Sequence, residues 1–504
     1  MDYLETHILE GLIYLPLLVA ALLVFVPSTR PLLVRVIGIG GSFLLLAGSF
    51  YVFFLFDYDG DTFQMVRVYT WMEALGIDFR LGVDGIAVPM VLLTGVVSFA
   101  GAVIAANRDE DPKSYYVLLY VLIAGVYGTF VSLDLFFFFF FYELAIVPMY
   151  LLIAIWGSST TFATFARTKE YGAMKLVMMV VAASVLVWIA IIAIFVESGT
   201  GGFNIIALSQ AAQDGAFSEG FQRVVFPLVM VGFGLLAGLW PFHTWSPDGH
   251  VAAPTSVSML HAGVLMKLGA FGIIRVGMMI LPDGMHDWAL VLFILGTINV
   301  LYGAISALGQ HDLKYIIGYS SVSHMGYVLM GIATMETLGL TGATMQMFSH
   351  GIMTALFFVL AGAIYERAHT RDTLVLNGLA GRMGWATGIF VFAGLTSLGL
   401  PGLSGFISEL LVFIGAFRTE PLLGALGVLG AAITAIYILR LIGRVFYGER
   451  DKQWDHMQDL GKRELIAAGV LMVPIVFVGV YPGPLLDVIR PGVEAVLAGL
   501  GGSA

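Results

Sequence analysis

Six ionisable side chains lie inside otherwise apolar stretches of the 504-residue chain: Glu143, Lys175, Lys267, His324, His350 and Glu409. A charge at bilayer depth costs roughly 3 kcal/mol or more, so such residues are rare and mark ion paths or proton relays by default. Carboxylate, amine and imidazole each bind and release a proton as their neighbours change charge. A series of them with water between can pass protons across an apolar barrier. A single buried histidine is more readily a satisfied core residue, but six titratable groups in six different spans are hard to read as packing. The most conspicuous case is LDLFFFFFFYELAIVPMY, residues 133–150, where Glu143 follows closely on six consecutive phenylalanines. The phenylalanines themselves read as lipid-facing or packed bulk.

The elements that must carry these groups are transmembrane helices. The chain is 59% hydrophobic and 12% charged, with mean hydropathy +0.93, against about 25% charged residues in soluble domains. About 20 apolar residues span the hydrocarbon. Fourteen spans are expected, at 8–26, 31–56, 84–106, 114–132, 135–156, 171–196, 224–241, 255–280, 289–309, 314–334, 338–365, 385–418, 422–447 and 464–481. Loops on one side hold Arg30, Arg35, Arg108, Lys113, Arg167, Lys169, Lys314, Arg367, Arg371, Arg382, Arg444, Arg450, Lys452, Lys462 and Arg463, which is 15 of the 24 basic residues. The other side holds Arg67, Arg80, Arg223, Arg418 and Arg490. The positive-inside rule puts the rich side in the cytoplasm and both termini outside. The long outer loops 57–83 and 197–223 read as covers, not as domains.

Two spans are interrupted, at GLLAGLWPFHTWSPDGHVAAP around Pro241 and at GLTSLGLPGLSGFISELLVF around Pro401 and Gly402. Pro and Gly free backbone groups that must line a cavity or be buried in protein. Gly234 and Pro241 are seven apart, as are Gly394 and Pro401, with an offset of 160. Matched interruptions in two halves suggest an internal repeat with an ion site. Asp134 stands at a span start, where it is as readily an N-cap as a relay group. Arg275 and Arg440 near helix ends read as snorkelling structural residues. His243 and His261, near the cytoplasmic third, read as wet, hydrogen-bonded polar residues or as proton-entry groups, the former favoured, and His311 and His369 as loop residues.

The net charge of −10 argues against nucleic acid. The absence of Cys excludes disulfides, thiolate metal sites and cysteine-held iron–sulfur clusters. No dinucleotide fingerprint or Walker A motif is present. The acidic start MDYLETH is unlike the basic opening of a signal peptide.

FYELAIVPMYLLIAIWG, PFHTWSPDGHVAAPTSVSMLHAGVLMKLGAFGIIR, YSSVSHMGYVLMG, FSHGIMTALFFVLAGAIYERAHTRD and TSLGLPGLSGFISELLVF, with GVDGIAVPMVLL upstream, together resemble the subunit M family of proton-translocating NADH:quinone oxidoreductase, respiratory complex I. The resemblance runs in order over roughly residues 80 to 450. It implies an all-α polytopic fold of fourteen helices with two inverted five-helix repeats, each with a broken helix. The implied divisions are 1–113 for helices 1–3, 114–280 and 281–447 for the two antiporter-like halves, and 448–504 for the last helix and tail. Glu143 falls on the family's fifth-helix glutamate, Lys267 on its eighth-helix lysine, His324 and His350 on its central histidines, and Glu409 on the glutamate of the second broken helix. Lys175 falls on a sixth-helix lysine. One position departs: Leu236 stands where the family carries the lysine of the first broken helix. Lys175 is therefore expected to pair with Glu143, with His261 a second candidate cation. The implied function is proton pumping coupled to electron transfer in other subunits. NADH, FMN, iron–sulfur clusters and quinone belong to those partners and not to this chain. Partners would be other membrane subunits, L and N types above all, together with lipid, in a bacterial inner membrane. A multi-subunit Mrp-type cation/proton antiporter or a membrane-bound hydrogenase is the alternative.

Overall fold

The computed structural model describes residues 3–161, 166–449 and 451–501, so Arg450 lies outside the described residues. The chain is built from apolar helices. Three lead in: α1 (Tyr3–Phe25), α2 (Pro31–Leu55) and α3 (Ala87–Ala105). Next come α4 (Pro112–Val131), α5 (Leu135–Trp156) and α6 (Lys169–Ser198), then the short connecting α7 (Ile205–Gln213), then α8 (Glu219–Ala237) with α9 (Trp245–Ala252), and α10 (Thr255–Leu260) with α11 (Met266–Gly272). They are followed by α12 (Pro282–Gly309), α13 (Leu313–Ala333), α14 (Thr337–Ala368), α15 (Gly384–Ser397) with α16 (Ser404–Thr419), and α17 (Pro421–Val445). The last two helices are α18 (Lys462–Val480) and α19 (Gly483–Gly499).

Among the described residues, thirteen helices are long and apolar enough to cross a membrane. The fourteenth expected span is the pair α15 and α16, whose 14 and 16 residues are each too short alone. Both interruptions fall where Pro and Gly put them. After α8, Gly238 takes a left-handed φ of 82° and a cis Trp240–Pro241 bond follows. Between α15 and α16, Gly399 and Gly402 take φ of 67° and 92°. A side chain is strained at such angles, so glycine is the residue that can turn the chain there.

Two regions differ from the sequence reading. The outer loop 57–83 carries an antiparallel hairpin, β1 (Gln64–Met72) with β2 (Ile77–Val83), pairing Arg67 with Leu81 and Tyr69 with Phe79. It packs on the start of α5: Trp71 stacks on Phe136 at 5.5 Å and Phe79 meets Phe137 edge-on at 5.0 Å. The tail after the last expected span is the amphipathic α19, which buries Leu485, Val488, Ile489, Val493 and Val496.

The innermost layer is α3, α10, α11, α13 and α14. Residues 256–278 and 339–364 are buried throughout. Helices apolar on every side belong at the centre of a bundle. The polar residues on these central helices face one another, since no lipid-facing side is available to them.

Candidate functional site

Lys267 sits on the most deeply buried helix. Between α10 and α11 that helix widens into a π-type turn over His261–Leu265, and a second follows α11 over Ile273–Met278. Such turns are rare and are frequent at functional sites. Lys267 is fully buried. Its ammonium donates to the Ala262 carbonyl in the first π turn and lies 2.9 Å from His350 Nδ1 on α14. Two glycines make this contact possible. A Cβ on Gly351 would stand 2.5 Å from the Gly263 carbonyl oxygen, so only small residues let these backbones approach.

From His350 the polar line continues to α13. The rings of His350 and His324 stack with centroids 5.3 Å apart. His324 Nδ1 lies 3.3 Å from Glu409 Oε1 on α16, and its Nε2 lies 3.0 Å from the Ser397 hydroxyl at the end of α15. The same Nδ1 is 3.2 Å from the amide nitrogen of Gln346, whose carbonyl oxygen accepts from Ser408. With Nδ1 bare the ring accepts from the Gln346 amide, and with a proton there it carries a positive charge or a donor 3.3 Å from the Glu409 carboxylate, while the Ser397 hydroxyl serves Nε2 either way. An imidazole with a neighbour on each nitrogen can take up a proton on one side and release it on the other. Lys267, His350, His324 and Glu409 are thus brought together from four separate spans.

Glu143 and Lys175 are not brought together. Lys175 Nζ donates to Asp248 Oδ2 on α9 at 2.7 Å, and Asp248 Oδ1 accepts from the Tyr315 hydroxyl at 2.7 Å, with Arg167 Nε 3.7 Å away. Glu143 instead approaches Ser184 on α6, and its buried Oε1 has no hydrogen-bond partner among the described residues. Ser184 lies nine residues beyond Lys175, about 13 Å along the helix at 1.5 Å per residue. The expected Glu143–Lys175 pair is therefore corrected to Lys175–Asp248. Sequence reasoning passed over Asp248, although a carboxylate in TWSPDGH inside a broken span was signal enough. Gln346 was missed too, four residues before His350 on the same face of α14.

Arg275 does not snorkel. It is 1% exposed and holds Asp84 in a two-point ion pair at 2.7 and 2.5 Å. Asp134 caps α5, accepting from the Phe136 and Phe137 amides at 2.9 and 3.3 Å. Arg440 is exposed, and His311 and His369 lie outside the helices. His243 is buried edge-on to Tyr302 at 4.9 Å. His261 is buried between Trp245 and His250, and its ring lies 4.0 Å from that of His250. Neither the His243 nor the His261 ring has a hydrogen-bond partner among the described residues.

Residues 132–434 match the family model described as NADH:quinone oxidoreductase/Mrp antiporter, transmembrane. The chain belongs to that family. It is 36% identical over 490 residues to NAD(P)H-quinone oxidoreductase chain 4 1 of Synechococcus sp. (strain JA-3-3Ab), covering 95% of this chain and 90% of that protein. It is 36% identical over 484 residues to chain 4 2 of Thermosynechococcus vestitus, covering 94% and 89%. Among solved structures, a chain of respiratory complex I from Thermus thermophilus superposes with TM-score 0.88 at 26% identity, covering 98% of this chain and all of that one. A chain of the Mrp complex from Dietzia sp. DQ12-45-1b superposes with TM-score 0.85 at 23% identity, covering 99% and 100%, a likeness of fold alone. The fold is that of this antiporter-like family: two inverted five-helix repeats, each with a broken helix. Among the described residues no group of three or more His, Asp or Glu is arranged to hold a metal ion.

Proposed function

We propose that this chain is a proton-translocating membrane subunit of an NADH:quinone oxidoreductase, coupling electron transfer in other subunits to proton movement through its own buried residues. The observation that carries the reading is the contact series Lys267–His350–His324–Glu409 through the most buried helices. The proton resides on Lys267, crosses by the two stacked imidazoles, and leaves by Glu409 beside the second helix break. Redox chemistry with NADH, FMN, iron–sulfur clusters and quinone falls to partner subunits. The chain name of the cyanobacterial relatives and the identity over nearly the whole length support this reading over an Mrp-type antiporter.

Glu143 serves as the switch toward a neighbouring subunit of L or N type. It shares a face of α5 with Phe140 and Val147, which are 46% and 58% exposed. That apolar face with a carboxylate at its border suits a partner helix better than lipid. Leu236, where the family carries lysine, leaves Glu143 without the usual cation on α8. The two halves divide at 114–280 and 281–447, and the basic face lies in the cytoplasm of a bacterial inner membrane with both termini outside.

The test is NADH-driven proton pumping in inverted membrane vesicles. Glu143→Ala abolishes both the pH gradient and quinone-linked NADH oxidation if the reading holds. Persistence of both, with loss of sodium–proton exchange, gives the chain to an antiporter instead.

A further inference from the structure

A proton path needs an intake, and the customary one through the first broken helix lacks its lysine at Leu236. A different polar line reaches Lys267 from the basic face. A cavity of about 290 Å³ opens there, lined by Arg108, Glu110, Tyr115, Ser256 and Glu366. Behind it stands Lys314, only 3% exposed. Its ammonium donates to the Ala253 carbonyl at 2.6 Å and to the Ser258 hydroxyl at 3.4 Å. No carboxylate among the described residues hydrogen-bonds this ammonium, and Asp312, two residues away, is engaged by Arg371 at 3.1 Å. The same Ser258 hydroxyl donates to the His250 carbonyl at 2.9 Å, so one side chain joins Lys314 to the His250 segment.

His250 and His261 complete the line. Both are fully buried, with ring centroids 4.0 Å apart. His250 Nε2 is held by Ser246 at 3.1 Å. Its Nδ1 and both nitrogens of His261 have no hydrogen-bond partner among the described residues. Buried polar atoms are nearly always bonded, and three such nitrogens side by side call for internal water, which bridges donors and acceptors about as well as direct contact. Lys267 in turn reaches back along the same helix to the carbonyl of Ala262, the residue beside His261.

We propose that Glu366, Lys314, His250 and His261 form the proton-uptake branch that feeds Lys267. The inference rests on the pumping function proposed above. Protonated Glu366 gives its proton to the neutral Lys314 amine and becomes carboxylate. The Lys314 ammonium passes a proton through water to His250 Nδ1 and returns to amine. His250 passes it across the ring pair to His261, which gives it to neutral Lys267. Each donor ends as its conjugate base, and Glu366 is recharged from the cavity.

The decisive variant is Lys314→Arg, made in the assembled complex and tested in inverted vesicles. Arginine keeps a charge and donors for Ala253 and Ser258 but does not release its proton in proteins. A structural role is rescued by it and a relay is not. His261→Leu removes no protein hydrogen bond and serves as the second variant. Glu409→Gln is the reference for loss of the outlet, and NADH oxidation by an artificial acceptor reports assembly. The expected result is that all three assemble and lose the NADH-driven gradient. A gradient retained in either Lys314→Arg or His261→Leu, with Glu409→Gln inactive, overturns the uptake branch while leaving the pumping function standing. A gradient retained in Glu409→Gln as well overturns the pumping path itself.

Discussion

Lys175 and Asp248 form a 2.7 Å ion pair between α6 and the second half of the first broken helix. It ties a continuous helix to the segment that follows the break, where backbone groups are least supported. Tyr315 of α13 joins the same carboxylate, so one acid links three spans.

Removing the lysine should cost stability, but less than a lone buried pair would. Breaking a buried pair typically costs about 3–5 kcal/mol. Here Lys175 is 22% exposed and Asp248 keeps Arg167 and Tyr315, so Lys175→Met is expected to cost roughly 1–2 kcal/mol. Asp248→Ala, which strands the cation and releases Tyr315, is the costlier change. Thermal unfolding of the purified protein in detergent checks the order, and the double mutant yields the coupling between the two sites.

Arg275 and Asp84 test the opposite limit. Both side chains are 1% exposed and meet at two points. Arg275→Met leaves a buried carboxylate without its counter-ion, at an expected cost of about 3–5 kcal/mol. Pairing it with Asp84→Leu removes that charge and recovers most of the loss. Recovery stays incomplete by about 1 kcal/mol because Asp84 also accepts from the Ile86 and Ala87 amides at the start of α3. The yield of folded protein and its unfolding midpoint decide the matter.

The phenylalanine run divides by face. Phe138 is fully buried, edge-on to Phe233 at 5.8 Å and stacked on Phe271 at 6.2 Å. Phe140 is 46% exposed. Phe138→Ala is expected to cost about 3–5 kcal/mol, whereas Phe140→Ala should stay within about 0.5 kcal/mol. Equal losses in the unfolding midpoint would contradict this division.

What the sequence conveyed, and what it withheld, follows from range. The breaks at Pro241 and at Pro401–Gly402 were legible because Pro and Gly act on their own backbone. The buried acids, lysines and histidines were legible because a charge in an apolar run is conspicuous by itself. Partners were not. Nothing local to Lys175 says that α9 rather than α5 lies opposite its amine, and the pairing with Glu143 failed on a 13 Å offset along α6 that only packing reveals. Arg275 looked free to reach water because Asp84, 191 residues away, was out of view. The hairpin at 64–83 had its signal, alternating Val66, Val68 and Thr70, yet hydropathy counting looks only for long apolar runs. Helix α19 escaped in the same way, since its apolar residues cover one face only.

The approach of Gly263 and Gly351 yields the most direct link from packing to transport. Alanine at 351 would place its Cβ 2.5 Å from the Gly263 carbonyl oxygen, and a backbone cannot yield as a flexible side chain does. Helix α14 must shift outward, and His350, the preceding residue, must shift with it. The 2.9 Å contact to Lys267 then lengthens toward distances at which a hydrogen bond is lost. Gly351→Ala is therefore expected to destabilise by about 1–3 kcal/mol and, in vesicles where the complex still assembles, to lower proton pumping further than that loss of stability explains. Gly40→Ala is the matched control. It lies in α2 with nothing within 4 Å of its Cβ position, so alanine there should leave pumping intact and stabilise the helix by up to about 1 kcal/mol. Proton uptake measured against the amount of assembled complex separates the two. Normal pumping by Gly351→Ala would mean that the Lys267–His350 contact is not on the path.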